Sequence, residues 1–215
     1  MGGNYHMKKI ISVILVIFTV AFSLASCSKI NSGSDSKDST LTEGDYTYEL
    51  LEDGTAAIIS YNSAESYDKL EIPDTLGGVN VTVIGKNAFA GATTLLRVEF
   101  PRYITTIENS AFKGSSIKYA LMNSCRELVI IGEEAFADCT NLVQVDVSSS
   151  VTTIGKKAFA NDTALMVFTL RGDIKLNTNM FEGAKRFTIW GYEDATTVAK
   201  FAEKNSYEFQ TLTKG

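Results

Sequence analysis

The sequence predicts an α/β solenoid, strand-rich with short helical turns, and two observations predict it. Near-identical octets recur: IGKNAFAG (84–91), IENSAFKG (107–114), IGEEAFAD (131–138), IGKKAFAN (154–161) and, more loosely, LNTNMFEG (176–183). Their phenylalanines, Phe89, Phe112, Phe136, Phe159 and Phe181, are separated by 23, 24, 23 and 22 residues. After the octets come apolar strands with one frame, L-x-x-L-x-L, at 95–100, 142–147 and 165–170, with IKYALM (117–122) a weaker fit. One such coil cannot bury its apolar side against itself. Equivalent positions of neighbouring coils must therefore stack to share a core.

Taken in order, the chain opens with Lys8 and Lys9 ahead of an apolar run from Ile10 to Leu24. The run is too short to span a bilayer comfortably and has the layout of a secretory signal, here residues 1–26. It ends Leu24-Ala25-Ser26-Cys27, which resembles the lipobox of bacterial lipoproteins. That resemblance implies a diacylated Cys27 at the mature N-terminus and a lipid anchor in a membrane. An uncleaved anchor, or ordinary cleavage after a small residue, is the alternative. Residue 28 is Ser, unlike the aspartate that retains many lipoproteins at the inner membrane, which points to the bacterial outer membrane or cell surface. Residues 27–44, rich in Ser, Asp and Gly, bury too little to order themselves and read as the lipidated N-terminus and a flexible tether.

Residues 45–83 are expected to form an N-terminal β cap, with a hairpin turning at Asp53-Gly54. Residues 84–191 then supply five coils. Within each octet the first, fifth and sixth positions are apolar and the third and fourth polar, as one short helical turn requires. The eighth position is Gly91, Gly114, Asp138, Asn161 or Gly183, residue types that tolerate a left-handed backbone. Glu133-Glu134 and Lys156-Lys157 hold equivalent places in adjacent coils and are expected to lie side by side as a solvated ion-pair row. Residues 192–215 are expected to close the C-terminal end. There Asp194 caps a helix with Val198, Phe201 and Ala202 on its inner side, Asn205 stops it, and YEFQTL adds a strand. Cys139 reads as a small buried hydrophobe or as the partner of Cys125 in a disulfide.

Removal of residues 1–26 takes two of the 20 basic residues and none of the 25 acidic ones, which moves the net charge from −5 to −7. Nucleic acid is thereby disfavoured as a partner. The same cut removes His6, the only histidine. Catalytic triads and histidine metal sites lose their usual base or ligand. Ser149 and Lys157 have no partner at a telling spacing, so no catalytic, metal or cofactor residue is assigned and no enzyme is expected. A binding face is expected instead, from strand positions that point away from the core: Arg97, Glu99, Tyr119, Leu121, Gln144, Asp146, Val167, Thr169, Thr188 and Trp190. Tyr119, Leu121, Val167 and Trp190 are the apolar members of a possible contact patch.

These octets, strands and end segments resemble the BspA-like leucine-rich repeat proteins, whose repeats carry IG-x-x-AF-x-x-C-x-x-L. IGEEAFADCTNL (131–142) matches each fixed position; the other coils replace the cysteine, and Glu108 replaces a glycine. The resemblance implies a right-handed leucine-rich repeat solenoid on a bacterial surface, in a family with members implicated in adhesion to host matrix proteins or other cells; for this chain an extracellular protein or glycan ligand and a monomeric state are expected. The competing expectation is a structural or docking subunit of an envelope complex.

Overall fold

The computed structural model describes residues 40–63, 65, 67–93 and 95–213. The signal segment, Cys27 and the tether up to residue 39 lie outside the described residues. In chain order the strands are β1 (Leu41–Glu43), β2 (Tyr46–Leu50), β3 (Ala56–Tyr61), β4 (Tyr67–Glu71), β5 (Thr75–Leu76), β6 (Val79–Ile84), β7 (Leu95–Glu99), β8 (Thr106–Ile107), β9 (Tyr119–Leu121), β10 (Ile130–Ile131), β11 (Gln144–Val147), β12 (Thr153–Ile154), β13 (Val167–Leu170) and β14 (Thr188–Tyr192); helix α1 (Thr196–Lys204) and β15 (Glu208–Leu212) complete it. Each repeat contributes one strand to each of two sheets. The short sheet runs β1-β2-β3-β6-β8-β10-β12, with β5 against β6. The long sheet runs β15-β14-β13-β11-β9-β7-β4, and each of its pairs is parallel.

Between the sheets the predicted stacking is present. Phe89, Phe112, Phe136 and Phe159 form a column with ring centroids 4.8, 5.1 and 5.4 Å apart and planes within 10° of parallel. Phe181 extends it at 6.1 Å with a 29° tilt, and all five rings are almost wholly buried. Leu95, Leu142 and Leu165, and likewise Val98, Ala120, Val145 and Phe168, fill corresponding inward positions of successive strands. The first position of the frame thus stays large while the second adapts its size to its neighbours.

The octets themselves are not helical. Among the described residues α1 is the only helix. In each of the first four octets the fourth residue has positive φ as well as the eighth: Asn87 (60°), Ser110 (58°), Glu134 (55°) and Lys157 (54°) precede Gly91, Gly114, Asp138 and Asn161. The cause lies in where the amides go. Phe89, Phe112, Phe136 and Phe159 donate their N–H to the carbonyls of Ala111, Ala135, Ala158 and Met180 in the next coil, at 2.7–2.9 Å. The eighth residues do the same two places on, to Lys113, Ala137, Ala160 and Glu182. A helix would spend these donors on its own preceding turn; here alternate amides form a third ladder between coils. Close approach fixes the second octet position too. A Cβ on Gly132 would lie 2.6 Å from the Asn109 nitrogen, and one on Gly155 would overlap the Glu133 nitrogen. Where Glu108 replaces glycine, its carboxylate accepts the Lys86 N–H at 2.8 Å.

The ladders run beyond the octets at both ends. Strand β1, at 41–43 in the segment expected to be tether, is instead an ordered strand pairing antiparallel with β2, and β2 continues antiparallel into β3, turning at Asp53-Gly54 as expected. Strands β3 and β4, however, already lie parallel to β6 and β7. Tyr61 then occupies the place of a column phenylalanine: its N–H bonds the Ala88 carbonyl (2.9 Å) and its ring stacks on Phe89 at 5.0 Å. At the other end α1 buries Val198, Phe201 and Ala202, and β15 joins β14. Its cap is not Asp194. Ala195 holds the N-cap position, and the carboxylate of Asp173, one coil earlier, accepts the Thr197 and Val198 amides at 2.9 and 3.2 Å and the Thr197 hydroxyl at 3.0 Å. Phe136→Ala, in mid-column, is expected to cost about 3–5 kcal/mol in urea unfolding, and Asp173→Ala only about 1 kcal/mol.

Candidate binding face

The outward positions of the long sheet fall into two straight ladders because its strands are parallel and in register. One reads Lys69, Arg97, Tyr119, Gln144, Val167, Thr188, Glu208; the other reads Glu71, Glu99, Leu121, Asp146, Thr169, Trp190, Gln210. The ten residues singled out from the sequence are the five middle rungs. Both outer rungs escaped sequence reading. For Lys69 and Glu71 a signal existed, since Lys69-Leu70-Glu71-Ile72 repeats the chemical pattern of Arg97-Val98-Glu99-Phe100.

The rungs differ in what they leave open. Lys69 bridges Glu71 and Glu99 at 2.7 and 2.9 Å, relieving the repulsion of two carboxylates on adjacent strands. These pairs are exposed and contribute little stability. Tyr119 lies beneath two cations, Arg97 at 5.3 Å and Lys118 at 5.6 Å from its centroid. Asp146 and Thr169, expected in solvent, are 8% and 6% exposed. Asp146 accepts both a 2.9 Å bond from Arg171 Nε and a 2.8 Å bond from Nη2, a two-point grip that covers it. The four apolar members are all half-buried, and Gln144 and Asp146 on β11 separate the Tyr119–Leu121 pair from Val167 and Trp190. A groove of about 600 Å³ crosses the end of β4, β7 and β9, lined by Glu71, Asp74, Arg97, Arg102, Asn123 and Ser124 among others.

Elsewhere the chemistry is quiet. The expected Glu133-Glu134 and Lys156-Lys157 row does not form as drawn: Glu134 pairs with Lys113 at 2.6 Å and Lys157 with Glu182 at 3.4 Å. The left-handed fourth position reaches the seventh position of a neighbouring coil, so the partners are offset. Cys125 and Cys139 are free and buried, and desolvation pushes their thiols up to about 11 and about 12. Neither is therefore a ready nucleophile. Among the described residues no group of three His, Cys, Asp or Glu can hold a metal ion.

One buried acid stands out. Asp162 takes the place of Cys139 in its coil and is fully buried; Oδ1 accepts the Cys139 N–H at 2.9 Å, while Oδ2 has no partner among the described residues. Desolvation pushes its carboxyl up to about 9, against the lowering effect of the Cys139 amide, and Asp138 adds to the rise. Between pH about 4 and about 9 the folded state holds a proton that the unfolded chain releases. Stability is then fully present at the acid end and falls as pH rises through this window. Asp162→Asn is expected to raise Tm at pH 8, by about 2–4 °C for each kcal/mol gained, with the gain shrinking towards pH 4. An equal gain at both pH values would show that charge is not what the site resists.

Comparison with known proteins gives a consistent family. Residues 59–188 match the BspA type leucine rich repeat region in six copies. A leucine rich cell surface protein from Faecalibacterium prausnitzii A2-165 is similar at 26% identity and TM-score 0.58, over 75% of this chain and 47% of that one. The Treponema pallidum leucine rich repeat protein is similar at 20% identity and TM-score 0.50, over 77% and 95%. The pneumococcal vaccine antigen PcpA gives 15% identity and TM-score 0.53, over 79% and 48%. The chain thus spans about half the length of the first of these. No functionally curated protein matches it significantly.

Proposed function

Because the chain belongs to the BspA-type leucine-rich repeat family, we propose that it is a non-enzymatic surface protein, held to a membrane by lipid on Cys27, that binds an extracellular protein or glycan through the outward face of its long sheet. The observation that carries this reading is the pair of seven-rung ladders. They present side chains of varied chemistry at fixed spacing on a face whose reverse side is locked into the core. A rigid array loses little conformational entropy on binding, so modest contacts along its length add up to useful affinity. The similarity to a cell surface protein at 26% identity supports the location.

A soluble 44–215 fragment, screened against matrix proteins and glycans, is expected to bind at least one of them. Tyr119→Ala with Trp190→Ala should weaken that binding about tenfold or more, as loss of aromatic anchors does. Binding indifferent to both changes would remove the sheet face from the proposal. Protease shaving of whole cells should release the solenoid; protection in intact cells, with crosslinking to one dominant envelope protein, would favour the docking-subunit reading.

A further inference from the structure

The face changes character along its length. Near β4 it is charged, and its aromatic, Tyr119, is already engaged by Arg97 and Lys118. The four outward residues nearest Trp190 along and across the sheet are uncharged. Thr169 on β13 and Gln210 on β15 stand opposite Trp190, and Thr188 and Tyr192 are its same-face neighbours on β14. The indole is half-buried and carries no ring or cation contact among the described residues. The Arg171 guanidinium is taken up by Asp146 and the Tyr192 hydroxyl.

We propose that Trp190 is the stacking platform of a subsite for a neutral glycan, an assignment that rests on the surface-binding reading above and names its ligand class. An indole offers a broad apolar face in a wet setting, and a pyranose presents an apolar C–H face ringed by hydroxyls. The hydrogen-bonding rim is already organised. Glu208 accepts from Gln210 Nε2 at 2.8 Å on one oxygen and from Thr188 Oγ1 at 3.3 Å on the other. Held from both sides, this carboxylate keeps lone pairs for sugar hydroxyls, and the Gln210 amide adds both a donor and an acceptor. Charge selects the ligand further. Arg171 is engaged by Asp146, and the outward positions of β14 and β15 around Trp190 carry no basic side chain, so these rungs offer an acidic sugar no cation. A protein anchor would call for an apolar surround that excludes water, whereas hydroxyls and an amide surround this indole. The ladder also suits a polymer, since strands ~4.8 Å apart set rungs on the scale of one sugar ring.

Trp190 is the sole tryptophan of the chain, so indole emission reports this subsite alone. The protein is titrated with neutral oligosaccharides (cello-, chito-, manno- and xylohexaose) and with an oligogalacturonate of the same length. At least one neutral oligosaccharide should shift the emission saturably while the acidic one does not, and Gln210→Ala, an exposed change on an edge strand, should weaken that binding about tenfold with an unchanged Tm. The glycan assignment is overturned if no neutral oligosaccharide shifts the emission, if the acidic one shifts it equally, or if Gln210→Ala has no effect. A matrix protein that binds and quenches Trp190 where no sugar does would overturn the assignment and leave the surface-binding reading standing. Failure of sugars and matrix proteins alike would take down both.

Discussion

The first four octets of this protein each donate alternate amides to the next coil, and that single constraint organises the rest. The donors at the sixth and eighth octet positions, joined by the fourth at Asn87, Ser110 and Glu134, point along the stack, which they can do only if the backbone reverses hand between them. Left-handed φ at Asn87, Ser110, Glu134 and Lys157 follows, at some cost for residues other than glycine. The same closeness excludes a side chain at Gly132 and Gly155 and brings the phenylalanine rings into contact. Ring stacking and backbone pairing are thus two readings of one inter-coil distance.

Periodicity made the architecture legible because each coil must repeat whatever touches its neighbour. The phenylalanine column, the left-handed eighth position and the strand frame were all visible in the letters. What stayed hidden was set by geometry between coils or by substitution at the ends. Tyr61 holds a phenylalanine's place without an octet around it, so the first coil passed for part of a cap. Asp173 caps a helix 24 residues away because the solenoid brings its loop back over the helix start; the nearby Asp194 was the natural choice from sequence. The helical reading of the octets failed for the same reason: polar and apolar spacing fits a helical turn and a chain of tight turns equally, and only the destination of the amides separates them. On the binding face the ten candidates were legible as outward positions, but the cover over Asp146 depends on Arg171, 25 residues further on.

Asp162 shows how far the repeat can be bent. Its column is otherwise Ala92, Ser115, Cys139 and Ala184, small residues that need little from their surroundings. A carboxyl there finds one amide and leaves an oxygen unmatched, so it stays neutral where an exposed aspartate would ionise. The coil keeps its place because backbone ladders and the phenylalanine column bind it on both sides. Stability in a solenoid is shared between neighbours, and one poor rung is carried by the interfaces above and below.

The contrast between the two sides of the long sheet is the argument for function. Inward, successive strands repeat one theme, since Val98, Ala120, Val145, Phe168 and Ile189 all answer to the same core. Outward, one ladder passes from lysine and arginine through tyrosine, glutamine and valine to threonine and glutamate. If the outer face served only to stay soluble, charge would suffice at each rung, and a half-buried indole would be an unforced exposure of apolar surface. The fold holds that indole at a fixed height between two hydrogen-bonding neighbours, at no further cost in side-chain ordering when a ligand arrives. Rigid spacing imposed by the core is thus what gives the outer rungs their capacity for recognition.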